Sequence, residues 1–267
     1  MTMMREITIV FSDVHMGIPA CNKTKFLQFV DTLAANPPGR LVINGDLLDL
    51  WRRSNAQVLT ENRDVLAKLF GIDTHIDYII GNHDFAIWDI ADRTRGDVDW
   101  PSDFSICKNL RFTCDGRSYF VTHGYDLDVA ATMEGMPLEI YEAFAAAMCR
   151  ADNTLGGLGS LLWDAVSISG SGISKVRKMG SAKPHDDIEY REIYDVAGSG
   201  AAHLLLGAHP KDRLIYGHTH WPYINKAGTV TNTGSWCTEA GVPMHNTYVE
   251  ISPRRMSLKT FPEWPFA

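Results

Sequence analysis

The sequence predicts an α/β fold in which a second sheet packs on the first. Three observations predict it. Short apolar, β-branched runs at Ile7–Phe11, Leu41–Ile43 and Ile76–Ile80 alternate with helical patterns, the rhythm of right-handed βαβ crossovers. Each run ends in polar residues: Ser12-Asp13-Val14-His15, Asn44-Gly45-Asp46-Leu47-Leu48-Asp49 and Gly81-Asn82-His83-Asp84. Sites in such sheets gather at the carboxyl ends of strands, so the repetition carries the signal that one Asp-x-His alone would not. Strand-like runs then crowd the C-terminal part of the chain, which calls for the second sheet.

Thr24–Ala35 places Phe26, Phe29, Val30 and Leu33 on one helical face, and Pro37-Pro38-Gly39 stops it. Residues 55–70 repeat the pattern with Val58, Leu59, Val65, Leu66 and Leu69. Residues 105–122 read as a hairpin around Asp115-Gly116, and His123-Gly124 follows its second strand. The stretch 126–186 breaks the rhythm. Leu138–Arg150 is helical, with Ile140, Tyr141, Phe144, Ala147 and Met148 as its apolar face. An apolar run with Leu161, Leu162 and Trp163 comes next, then a basic run with Lys175, Arg177, Lys178 and Lys183. This is a helical insertion, either packed on the core or closing as a lid whose cations meet phosphate. Ile188–Leu206 returns to helix, Arg213–Tyr216 and Thr229–Asn232 read as strands, and Asn246–Ile251 with Met256–Phe261 as a final hairpin.

The 267 residues suit one domain, 1–267, that carries the insertion. A net charge of −7 leaves no basic field for coating nucleic acid, and no stable nucleic-acid partner is expected. The five cysteines are scattered and lack a CxxC pair, so reduced thiols are expected. The N-terminal residues have no leader pattern, and no apolar run reaches the ~18 residues of a membrane span. A cytoplasmic location follows as the expectation. The apolar residues of the insertion are open to three readings: a peripheral membrane contact, a subunit contact or core.

Gly217-His218-Thr219-His220 closes the strand Arg213–Tyr216. Residues two apart point to one side, so both imidazoles face one volume. By itself this is as consistent with loop histidines as with metal ligands. Collected along the chain, the ligand-type residues are Asp13, His15, Asp46, Asn82, His123, His218 and His220. That set exceeds what one tetrahedral ion needs and suits two cations sharing a carboxylate. Oxygen and nitrogen ligands without thiolate favour a transition metal over calcium or magnesium. Manganese is the expected ion, with iron, zinc, nickel and cobalt as alternatives.

SDVH, GDLLD, GNHD, HG and GHTH, in this order, resemble the five signature blocks of the calcineurin-like metallophosphoesterases. The resemblance implies a two-sheet β-sandwich flanked by helices, a four-layer αββα fold. It implies that Asp13, His15 and His220 bind one ion, that Asn82, His123 and His218 bind another, and that Asp46 bridges. It makes His83 the catalytic histidine with Asp84 orienting it, and puts Asp49 behind a ligand histidine. It implies hydrolysis of a phosphodiester or pyrophosphate by in-line attack of a metal-bridging hydroxide. Within the family, GDLLDLW and the insertion look most like the UDP-2,3-diacylglucosamine pyrophosphatase branch, whose substrate is a lipid-linked nucleotide. Arg52, Lys175, Arg177 and Lys178 are the candidate substrate contacts. GNHD departs from that branch, which commonly carries GNRD. Phosphomonoesterase (including protein phosphatase) activity and a non-catalytic metal-binding scaffold are the alternatives.

Overall fold

The computed structural model describes residues 7–97, 101–133, 135–151, 187–238, 242 and 244–262, with side chains from 192 onward in the helix that begins at 187. Among the described residues, eleven strands form two sheets. The first runs β11-β10-β1-β2-β3-β4, with β1 Thr8–Phe11, β2 Arg40–Asn44, β3 His75–Ile79, β4 Phe104–Cys107, β10 Thr247–Ile251 and β11 Met256–Thr260. The second runs β5-β6-β7-β9-β8, with β5 Asn109–Cys114, β6 Arg117–Thr122, β7 Arg213–Tyr216, β8 Tyr223–Ile224 and β9 Val230–Asn232.

The parity of the apolar residues sets the layers, because successive strand residues face opposite sides. Val10, Val42 and Ile79 point inward and meet Tyr119, Val121 and Ile215 of the second sheet in one buried cluster. Ile9, Phe11, Leu41, Ile43, Ile76 and Tyr78 point outward, under helices α1 Lys23–Ala35, α2 Asn55–Phe70 and α5 Leu138–Arg150. Phe120, Leu214 and Tyr216 point out on the far side, under α4 Tyr125–Thr132, α6 Asp187–Gly198 and α7 Gly200–Leu205. The short α3, Ala86–Arg93, follows the third strand-end loop. The layers are therefore helix, sheet, sheet, helix, as expected.

Three expectations need correction. The C-terminal hairpin is no part of the second sheet. β10 pairs antiparallel with β1, Thr8 facing Ile251, and so extends the first sheet. The second sheet is built instead on the hairpin of β5 and β6, Asn109–Thr122, whose Asp115 and Gly116 both have positive φ, as a two-residue strand-matching turn requires. The expected hairpin began too early, because Ser105–Cys107 lie in β4, which pairs parallel with β3 at the edge of the first sheet. The buried face of α5 is also rotated from the one expected. Tyr141, Ala145, Ala146 and Cys149 are buried, while Ile140 is 44% exposed. Small side chains let α5 close on the site: the Cys149 thiol lies 3.3 Å from the His83 carbonyl. Likewise Leu59 on α2 faces solvent. Over its described parts, 126–133 and 135–151, the insertion packs as core, since Val129, Met133 and Tyr141 join the main cluster. The lid expectation for 152–186 lies outside the described residues.

Candidate metal centre

Five of the seven non-glycine residues with left-handed backbones, among those described, are Asp13, His15, Asp46, His218 and His220. Such a backbone costs on the order of 1–3 kcal/mol per residue and persists where function over-determines it. Here the strand exits β1, β2 and β7 must turn sharply to send side chains to one point. The neighbouring glycines make room. A Cβ on Gly81 would strike the Asp46 carboxylate, and one on Gly217 would strike Ser12 Oγ and Asp13 Oδ2. Overpacking of this kind costs about 1–3 kcal/mol. Gly217→Ala is therefore expected to lower the melting temperature and to weaken cation binding together. A variant with wild-type melting and metal content would show that the turn yields freely.

All seven ligand-type residues meet in one volume. His220 Nε2 lies 3.0 Å from His15 Nε2 and 3.3 Å from Asp13 Oδ1. His123 Nε2 lies 3.2 Å, and His15 Nε2 3.6 Å, from Asp46 Oδ2. His218 Nδ1 lies 3.1 Å from Asn82 Oδ1. Two groups, Asp13-His15-His220 and Asp46-His123-His218, could each hold an ion, and Asp46 Oδ2 lies between them.

The outer hydrogen bonds say which atoms are bare. Asn44 O is 2.8 Å from His123 Nδ1, and a carbonyl only accepts, so the ring proton sits there. Asp49 Oδ2 lies 3.3 Å from His15 Nδ1 and Asp128 Oδ2 lies 3.0 Å from His218 Nε2. With the outer nitrogens of His123 and His218 taken by these acceptors, and Nδ1 of His15 turned to Asp49, the inward nitrogens of the three imidazoles are the ones left for a cation or a proton, and each faces a carboxylate or amide oxygen. Oxygen and nitrogen lone pairs aimed at each other repel unless a cation or a proton lies between them. The donor set thus fits hard-to-borderline divalent ions.

The electrostatics make a proton the cation's competitor between His123 and Asp46. Burial would lower the His123 pKa, but Asp46, with Asp13 behind it, pushes it up to about 10. Burial would raise Asp46, but His123, His83 and His15 hold it well below the usual carboxylate range. Ser12 Oγ and the backbone N–H of His218 both donate to Asp13 Oδ2, which leaves Oδ1 for the centre.

His83 stands at the edge of this volume, 8% exposed. Its Nδ1 lies 3.3 Å from Asp49 Oδ2. The expectation that Asp84 orients His83 is corrected. The Asp84 carboxylate instead accepts from the backbone of Leu47 and Gly81 and from the Tyr78 hydroxyl, and so staples two strand-end loops. Burial and the charge of Asp46 push Asp84 up to about 7. Arg52 is half exposed, with Nη1 3.4 Å from Asp49 Oδ2. Lys175, Arg177 and Lys178 lie outside the described residues.

Two neighbours of the site were missed. Trp51 stacks on His83 with ring centroids 4.2 Å apart at 26°. Asp128, one turn into α4, meets His218. The only sequence signal for Trp51 was its place two residues after Asp49, and for Asp128 its place soon after His123-Gly124.

The profile described as calcineurin-like phosphoesterase matches residues 8–222. UDP-2,3-diacylglucosamine hydrolase of Shewanella loihica is 24% identical over 260 residues, covering 96% of each chain. Among solved structures, TT1561 of Thermus thermophilus is similar at 12% identity, with 95% of this chain and 98% of that one covered and a TM-score of 0.47. A dimetal phosphatase from Danio rerio is similar at 13% identity, with 96% and 98% covered and a TM-score of 0.45. Among the described residues, no helix is long and apolar enough to cross a membrane.

Proposed function

The chain belongs to the calcineurin-like phosphoesterase family, and on that premise we propose that it is a two-cation hydrolase of a phosphodiester or pyrophosphate, with a lipid-linked nucleotide sugar as its substrate class. The observation that carries the reading is the convergence of ring nitrogens of His15 and His123 on Asp46 Oδ2, and of His218 on Asn82 Oδ1, in one buried volume. Asp13, His15 and His220 would hold one cation, Asn82, His123 and His218 the other, and Asp46 both. When bound, two such ions neutralise phosphoryl charge and lower the pKa of a bound water toward neutrality.

The remaining work falls to the chain. With Nδ1 turned to the Asp49 carboxylate 3.3 Å away, His83 would offer Nε2 to the substrate, as donor to a phosphoryl or departing oxygen. Trp51 covers one face of that imidazole and limits its rotation. Arg52, half exposed beside Asp49, would meet a phosphate oxygen. The substrate class is supported by the full-length likeness to the Shewanella loihica hydrolase.

The test is a panel of nitrophenyl phosphate, bis-nitrophenyl phosphate and a UDP-linked diacylated sugar, each with added Mn²⁺. The expected result is cleavage of the last two in preference to the first. Cleavage of the monoester alone would replace this reading with a phosphomonoesterase. Two bound cations with no turnover of any substrate would replace it with a scaffold.

A further inference from the structure

Asp128 does not belong to any of the signature blocks, yet its Oδ2 lies 3.0 Å from His218 Nε2. We infer that Asp128 is a positioning residue for the cation held by His218: it fixes the imidazole tautomer whose Nδ1 faces Asn82. The inference rests on the two-cation reading above.

A carboxylate only accepts, so it selects the ring with its proton on Nε2 and leaves Nδ1 as the donor atom. The alternative tautomer would turn an N–H toward Asn82 Oδ1, 3.1 Å away, and could not ligate through Nδ1. The carboxylate is itself held. Thr132 Oγ1 lies 2.7 Å from Asp128 Oδ1, one turn further along α4. The helix is fixed on the second sheet through Leu127, which packs with Phe120, Leu214 and Tyr216. At its start, Gly124 at φ +116° passes His218 Cβ so closely that a side chain there would press on it. One strand-to-helix junction thus supplies both His123, a candidate ligand of this same cation, and the group that orients His218. Outer partners of this kind are typically worth about 10–100-fold in metal affinity.

The test uses full-length protein stripped with chelator, then titrated with Mn²⁺ by calorimetry with metal counting. Wild type is expected to take two equivalents. Asp128→Asn, close in shape, is expected to weaken one equivalent by about 10–100-fold and to leave the other unmoved. In a His218→Ala background the same substitution should change nothing further, because both act on one site. Thr132→Val should weaken the same equivalent to a smaller degree, and it decides the matter if Asp128→Asn no longer melts cooperatively. Wild-type affinity at both equivalents in Asp128→Asn, or equal weakening of both, overturns the inference. A wild-type chain that takes fewer than two equivalents defeats the two-cation reading itself, and the inference with it.

Discussion

Asp46→Asn is expected to reduce turnover by about 1,000-fold or more and to remove at least one bound cation. The reason is the double use of this carboxylate. Its Oδ1 accepts the His83 N–H at 2.8 Å and so ties the second strand-end loop to the third. Its Oδ2 lies within 3.6 Å of His15 Nε2 and 3.2 Å of His123 Nε2. An asparagine can keep the first contact, so the fold should survive. Toward the centre it would offer an amide N–H₂ to the imidazole lone pairs. Those lone pairs would then be satisfied without any ion, and the charge that attracts the ions would be gone. Thermal melts with and without chelator read this directly, because a cation that binds only the folded chain stabilises it. Wild type should lose stability on chelation, and the variant should lose much less. Full activity in Asp46→Asn would show that the bridge has been placed on the wrong residue.

How much of this was legible in the sequence follows from what each feature depends on. The ligand-type residues were legible because each sits where its own strand ends, a local event marked by Gly45, Gly81, Gly124 and Gly217. The turn of the hairpin was legible because Asp115-Gly116 is a turn on its own terms, but its start was not, since Ser105–Cys107 pair with β3 across the other sheet. The sheet that receives the C-terminal hairpin was not, since Thr8 and Ile251 meet only through the whole fold. The face of α5 was misread because alanines and a cysteine pattern weakly. What chose the face was the close approach of Cys149 to the third strand-end loop. Asp84 was assigned to His83 on the resemblance of the GNHD block alone. Neighbours in a turn point apart, and the carboxylate that reaches His83 comes from Asp49, in another loop. Asp128 acts on a histidine 90 residues away, which no spacing rule could reveal.

His83→Ala is expected to lower kcat by about 100- to 10,000-fold while leaving the cation content near that of wild type. The geometry makes this a sharp test, because His15, Asp49 and His83 are close enough to hold an ion themselves. On that alternative His83 is a ligand, and its loss would take metal with it. The position of the Asp49 carboxylate argues otherwise. Asp49 Oδ2 faces Nδ1 of both rings at 3.3 Å. Burial opposes ionisation of Asp49, yet His83 and His15 beside it hold the carboxyl well below its usual range. An ionised acceptor between two ring nitrogens asks each for its proton, which leaves no lone pair there for a cation. Removing His83 leaves Asp49 to serve His15 alone, and the Asp13-His15-His220 group keeps its shape. Removing Asp49 instead releases both rings, so Asp49→Ala should lose turnover and cation binding together. If His83→Ala sheds a cation along with its activity, then His83 is a metal ligand and the proton donor to the departing oxygen must be sought elsewhere.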